Sequence, residues 1–174
     1  MDTIECIFKR RSVRKFKEDK IDEQIIQKLL ECGMAGPSAV NKRPWEFYVI
    51  NTEEGLKRVK KSSLFSKFDA PLAIIVAGNK LRSLTIKNND FWIQDCSAAI
   101  ENILLAATSL GLGTVWCGIY PMDGAAKRVR KAFNIPSHIV PLGLIYIGYP
   151  DQFPEARTQY DENRVHYIKD SDLK

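Results

Sequence analysis

From Asn102 to Met122 the chain carries no charged side chain. A run of that length is either a membrane span or the interior of a domain, so it limits the possible folds more than any other feature. Gly111, Gly113 and Pro121 punctuate it, and a buried helix that gives way to a strand explains it better than a spanning helix does. Upstream, Ile93, Ala99, Ile100, Ile103, Leu104, Ala107 and Leu110 fall at helical spacing, which carries the helix from about Asp90 to Leu110. Asp95 and Glu101 are its only acids after the first residue. Such a helix is buried on most sides, centrally in the domain or against a partner subunit. Gly111 ends it, and Thr114 to Ile119 follows as a strand.

The flanking segments are mixed α and β. Asp2 is placed to cap a first helix with Ile4, Ile7 and Phe8 on one face, and Asp22 to cap a second with the stripe Ile25, Ile26, Leu29 and Leu30, stopped by Gly36-Pro37. Phe47 to Ile50 reads as a short strand, Thr52 opens a charged helix through about Lys61, and Pro71 to Ala77 reads as a buried strand. Asp123 is positioned to cap a helix through Phe133, and Val140 to Ile147 is a last strand. With 174 residues, 45% hydrophobic and 27% charged, residues 1–174 are expected to form one ordered domain. The charged tail 151–174, with Phe153, Tyr160, Val165 and Tyr167, is too sparse in apolar residues for its own core and is expected to dock on this or another subunit.

The acids of Met-Asp-Thr-Ile-Glu stand where a signal peptide carries bases, which makes the cytoplasm the expected location. Cys6, Cys32, Cys96 and Cys117 form no CxxC pair, and His138 and His166 are the only histidines. No metal site is expected, and the cysteines read as reduced, packed thiols.

Two stretches point to a ligand. Residues 9–17, Lys-Arg-Arg-Ser-Val-Arg-Lys-Phe-Lys, hold six positive charges and no acid. The forks of Arg10, Arg11 and Arg14 match phosphate oxygens two at a time, and Ser12 adds a short donor. A solvated basic face or a nucleic-acid patch is the alternative, although the net charge of +5 leaves little positive excess outside this cluster. Residues 36–45, Gly-Pro-Ser-Ala-Val-Asn-Lys-Arg-Pro-Trp, form a loop able to present an amide and backbone groups to a planar ring. Gly111-Leu-Gly113 is not a dinucleotide fingerprint, since that needs a strand before the turn and a helix after it.

The segments at 10–16 and 36–45, together with Ala98 to Ala107, Gly-Leu-Gly-Thr-Val-Trp at 111–116 and Ile-Gly-Tyr-Pro at 147–150, resemble the nitroreductase family of FMN-dependent oxidoreductases. The resemblance spans almost the whole chain. It implies an α+β fold, a three-layer α-β-α sandwich around a mixed, mainly antiparallel sheet, in an intertwined homodimer with FMN at the subunit interface. It also implies that Arg10, Arg11, Ser12 and Arg14 hold the phosphate and ribityl chain, and that Pro37, Ser38 and Asn41 reach the ring, usually from the partner subunit. Trp116, Cys117 and Gly118 would then lie beside the flavin. A basic residue of the tail completes the phosphate site in many relatives; Arg164 is favoured here over Arg157.

The activity implied is oxidation of NADH or NADPH and reduction of a small organic acceptor, such as a nitroaromatic or quinone, by a ping-pong mechanism. No side chain is expected to act as a catalytic acid or base, and no membrane or nucleic-acid partner is expected. The alternative is an FMN-binding sensor or store without turnover. Phe65, Phe68, Phe91 and Trp92 are candidate walls of the acceptor pocket or, equally, core.

Overall fold

In chain order the elements are α1 (Thr3–Lys9), α2 (Glu23–Met34), β1 (Trp45–Ile50), α3 (Glu53–Ser62), β2 (Leu72–Asn79), two-residue β3 (Thr85–Ile86) and β4 (Asn89–Asp90), α4 (Trp92–Ser109), β5 (Gly113–Gly118), α5 (Asp123–Phe133) and β6 (Ile139–Gly148). Short 3-10 turns occupy Ala39–Asn41 and Glu162–Arg164. The structure is a computed structural model that describes residues 1–62, 67–86 and 89–170, so Phe65 lies outside the described residues.

The sheet runs β1-β2-β6-β5, with every neighbouring pair of strands antiparallel. A parallel pairing occurs where Ser12 lies beside Thr114 on β5. In β2, Leu72 to Ala77 are all buried, as befits a strand covered on both faces. Leu72, Ile74 and Val76 join Leu29 of α2 and Ile100, Ile103 and Ala107 of α4 in one core. Ala73, Ile75 and Ala77, pointing the other way, join Val59 of α3 and Val129 of α5 in a second. Helices therefore cover both faces of the sheet, the three layers expected.

α4 stops where Gly111 predicts. Gly111 adopts a φ of 76°, which a residue without a Cβ takes at little cost. Its N–H donates to the Thr108 carbonyl at 3.1 Å, and the Leu112 N–H to the Ala107 carbonyl at 2.8 Å. This double cap satisfies the last carbonyls and turns the chain into β5. Among the described residues no helix is long and apolar enough to cross a membrane.

β6 contains a bulge. Val76 faces Gly143 and Ala77 faces Pro141, which leaves Leu142 as an extra residue. The Leu142 carbonyl accepts from the backbone N–H groups of both Ile119 and Tyr120, at 2.9 and 3.1 Å. The bulge thus fixes the chain just beyond the end of β5.

Some local expectations change. Asp2 does cap α1, its carboxylate accepting from the Glu5 N–H at 2.9 Å. The apolar residues Ile4, Ile7 and Phe8 of α1 nevertheless stay exposed, and only Cys6 of that helix is buried. Asp22 sits at the cap of α2 without a side-chain cap bond, and Asp123 is the first helical residue of α5, with Met122 at the cap. A carboxylate in the first turn still favours the helix through its dipole. The tail crosses back over the N-terminal segment, where the Asp151 N–H donates to the Lys15 carbonyl at 2.9 Å. Beyond it Phe153, Tyr160 and Tyr167 are exposed.

Candidate active site

The basic segment lies along the free edge of the sheet. Arg10 ends α1, its N–H donating to the Cys6 carbonyl, and the Val13 N–H donates to the Thr114 carbonyl of β5 at 2.8 Å. Val13 is buried, so this contact anchors the segment. Ser12 is thereby held beside β5, with Arg10 and Arg11 just before it and Arg14 just after.

Along β5 the alternation of a strand separates two environments. Val115 and Cys117 are buried, whereas Trp116 and Gly118 are exposed. Trp116 and Gly118, with Arg10, Ser12, Glu101, Leu104, Tyr120 and Leu142, line a cleft of about 350 Å³. The indole of Trp116 lies across Gly143: a Cβ there would meet its Nε1, so only glycine admits the ring in this position. Gly118 has nothing within 4 Å of where a Cβ would stand, leaving its backbone accessible from the cleft.

The cationic end is crowded. Arg11 is pushed below its ordinary pKa by loss of water contact first, and then by the positive charges of Arg157 and Arg10. The Arg10 Nε lies 3.6 Å from the Glu101 carboxylate, a loose and partly exposed pair. The Arg14 guanidinium turns onto the Ser12 carbonyl at 3.4 Å, and its backbone N–H donates to Gln152 Oε1 at 3.4 Å. Three forks and a hydroxyl, with one carboxylate among them, are donors of the kind that suit phosphate oxygens.

The other expected residues are distributed differently. Pro37, Ser38 and Asn41 do not line this cleft. Their loop is tied to the start of α4, where the Ala39 N–H donates to the buried Asp95 carboxylate at 2.9 Å, and within it the Arg43 N–H donates to Ser38 Oγ at 2.9 Å. Val40, Asn41 and Arg43 all have positive φ, a conformation that costs non-glycine residues energy and is sustained by such bonds. Pro37 and Asn41 are exposed. The Cys117 side chain belongs to the core shared with α3 and α5, on the far side of β5 from Trp116.

In the tail, Arg164 is bonded locally to Asp161 at 3.0 Å and its side chain is 85% exposed. It is Arg157 whose charge reaches Arg11. Phe68 packs edge-on against Tyr146 at 5.5 Å in the second core, and Trp92 is buried against Tyr120. Glu101, Leu104, Tyr120 and Leu142 escaped the sequence reading. Glu101 left one signal, as a lone acid within the apolar stretch of a helix; Leu142 reaches the cleft through a bulge that no local pattern marks.

The profile of the Nitroreductase family matches residues 7–66 and 60–149. The chain belongs to the nitroreductase family. A relative from Methanothermobacter thermautotrophicus, provisionally named NADH dehydrogenase/NAD(P)H nitroreductase, is 43% identical over 97% of this chain and 88% of its own. Among solved structures, a nitroreductase described as FMN-dependent, from Clostridium difficile R20291, is 31% identical with a TM-score of 0.85, covering 95% of this chain and 99% of its own. A protein from Bacteroides thetaiotaomicron that bears the same provisional name as the Methanothermobacter relative superposes with a TM-score of 0.88 at 38% identity, covering 95% of this chain and 96% of its own. The nitroreductase resemblance seen in the motifs thus extends to the fold.

Proposed function

We propose that this protein is an FMN-dependent oxidoreductase that oxidises NADH or NADPH and reduces a small organic acceptor, the two substrates using one pocket in turn in a ping-pong cycle. The observation that carries this reading is the Val13 to Thr114 hydrogen bond. It fastens a cluster of phosphate-type donors to the same strand that ends in the open backbone of Gly118, so one cleft offers an anion grip and a flat, accessible wall.

The residues present fit FMN. Like charges crowd around Arg11, and a dianion relieves that repulsion. Arg10, Arg11, Ser12 and Arg14 would hold the phosphate and ribityl chain, and the tail arginine, Arg164 or Arg157, would complete the grip. The backbone from Trp116 to Gly118 would border the ring, Cys117 contributing main chain only. When bound, FMN supplies the redox chemistry between reductant and acceptor. The protein's part is to bind and orient, and to stabilise negative charge on the reduced ring through cations and amide donors.

The reading includes a homodimer. Exposed Ile4, Ile7 and Phe8 on α1, the uncovered aromatic residues of the tail, and a loop expected at the ring that does not line the cleft of its own chain all support it. In that assembly Pro37, Ser38 and Asn41 of a second copy would complete the cleft, and residues 151–174 would lie on that copy.

The test is anaerobic. Yellow protein whose flavin absorbance bleaches on addition of NADH or NADPH, and recovers on addition of an acceptor such as a nitroaromatic or quinone, is the expected result. Protein that cannot be reconstituted with FMN refutes the reading, and FMN-loaded protein that does not bleach leaves only binding without turnover.

A further inference from the structure

A second cleft, of about 720 Å³, opens between α5, the start of α4 and the end of β2. It is within the size range of small-molecule sites. One face of α5 borders it through Asp123, Ala126, Lys127 and Arg130, spaced as neighbours on a helix surface. Lys80, Asp90, Trp92 and Tyr120 form other parts of the wall.

The charges here are unevenly satisfied. Asp90 is saturated: it accepts from Thr85 Oγ1 at 2.7 Å and Trp92 Nε1 at 3.3 Å, and it pairs with Lys80 at 3.1 Å. The Lys127 side chain has neither hydrogen bond nor ion pair among the described residues, and the Asp123 side chain has none either. Arg130 donates one Nη1 bond to the Ser137 carbonyl at 3.1 Å, but its Nε is buried without a hydrogen-bond partner among the described residues. That Nε is closed off by protein and out of reach of the cleft, which Arg130 borders as a charge. With Lys80 and Asp90 cancelling, Lys127 and Arg130 exceed Asp123 by one positive charge. Beside them, Tyr120 is 38% exposed and stands edge-on to Trp92 with ring centroids 5.0 Å apart, leaving aromatic surface open for another ring.

From this placement we infer that the cleft is a binding site for a planar aromatic molecule carrying one anionic group. Its carboxylate-type oxygens meet Lys127 and Arg130, and its ring lies against Tyr120. Tyr120 also borders the cleft of Arg10 and Trp116, so the two sites share a wall. The inference concerns binding alone and stands whether or not the protein is an oxidoreductase.

The experiment is calorimetric titration of the protein as purified with benzoate, benzyl alcohol and acetate. Benzoate should bind saturably, with benzyl alcohol and acetate each roughly tenfold weaker or more, since each lacks one recognition element. Lys127→Glu, on an exposed position and therefore expected to fold, should weaken benzoate by roughly tenfold or more. Lys127→Gln should give a smaller loss, and Lys28→Gln, in the exposed pair on α2, none. Absence of saturable benzoate binding overturns the inference. So does affinity that Lys127→Glu leaves unchanged, acetate binding as tightly as benzoate, or a loss confined to Arg10→Ala, which would place the probe in the other cleft.

Discussion

Replacing Arg10 and Arg14 together by Ala tests the phosphate grip, and the structure sets the size of the effect. Hydrogen bonds to charged groups contribute about 1.5–3 kcal/mol each, which gives a ceiling of about 3–6 kcal/mol for two. Arg10 already has a partner in Glu101 at 3.6 Å, and giving up a pair of this exposure costs about 0–1 kcal/mol. Among the described residues the Arg14 side chain bonds only the Ser12 carbonyl, at 3.4 Å, a long contact that yields readily. The expected loss in FMN binding is therefore about 2–6 kcal/mol, or roughly 30- to 25,000-fold in Kd. Titration of apoprotein with FMN, read by flavin fluorescence at two ionic strengths, measures it, with thermal unfolding confirming that the variant is folded. Glu101→Gln provides the internal check, because removing the competing carboxylate should tighten binding by up to about 1 kcal/mol, roughly fivefold. Unchanged affinity in the double variant, or weaker binding in Glu101→Gln, would refute the assignment of the phosphate to this cluster.

Three further outcomes follow from packing and titration. Ile103→Ala, in the fully buried centre of α4, should cost about 2–5 kcal/mol, measured by urea denaturation. The Cys96 thiol is pushed up to about 12 by burial, with the nearby Asp95 and Glu46 charges adding to the effect; it should resist iodoacetamide at pH 8 in the native state and react on unfolding, after the less buried Cys32. Asp90 is held below its ordinary pKa of 3.8, first by the Thr85 hydrogen bond and then, against desolvation, by Lys80 and Trp92. Its contribution to stability is thus complete above that value and is lost as pH falls through the lower folded pKa. Wild type should exceed Asp90→Asn in stability near neutrality, and the gap measured by denaturant melts should close in acid.

The parts of the fold that were legible in sequence are those where one face of an element meets one environment. α4 repeats its apolar residues at helical spacing, and its stop at Gly111 is local chemistry. α1 was legible only in part, because the sequence places Ile4, Ile7 and Phe8 on one face without showing that this face is uncovered in the chain. A pattern records that a surface avoids water without recording which molecule covers it. Of the residues that the sequence singles out for the site, Arg10, Ser12, Trp116 and Gly118 line one cleft. Glu101 and Leu142 were missed because they arrive through helix rotation and a bulge, both set by tertiary packing. Nor could spacing rank Arg157 against Arg164, since the tail between them has almost no regular structure and its path depends on distant contacts.

The Val13 to Thr114 bond also bears on how the protein is made. The basic segment emerges early in synthesis, and its docking strand follows about a hundred residues later, a wait of roughly 5–20 s at usual elongation rates. During that interval the arginines are an exposed polycation with no strand to lie on. The chain crossing at Lys15 and Asp151 comes later still in synthesis, so the proposed anion grip would be among the last features to assemble. Contacts this distant in sequence are slow to form. Cofactor capture would accordingly certify that nearly the whole chain has folded, and a chain released before β5 is complete would have no grip to offer.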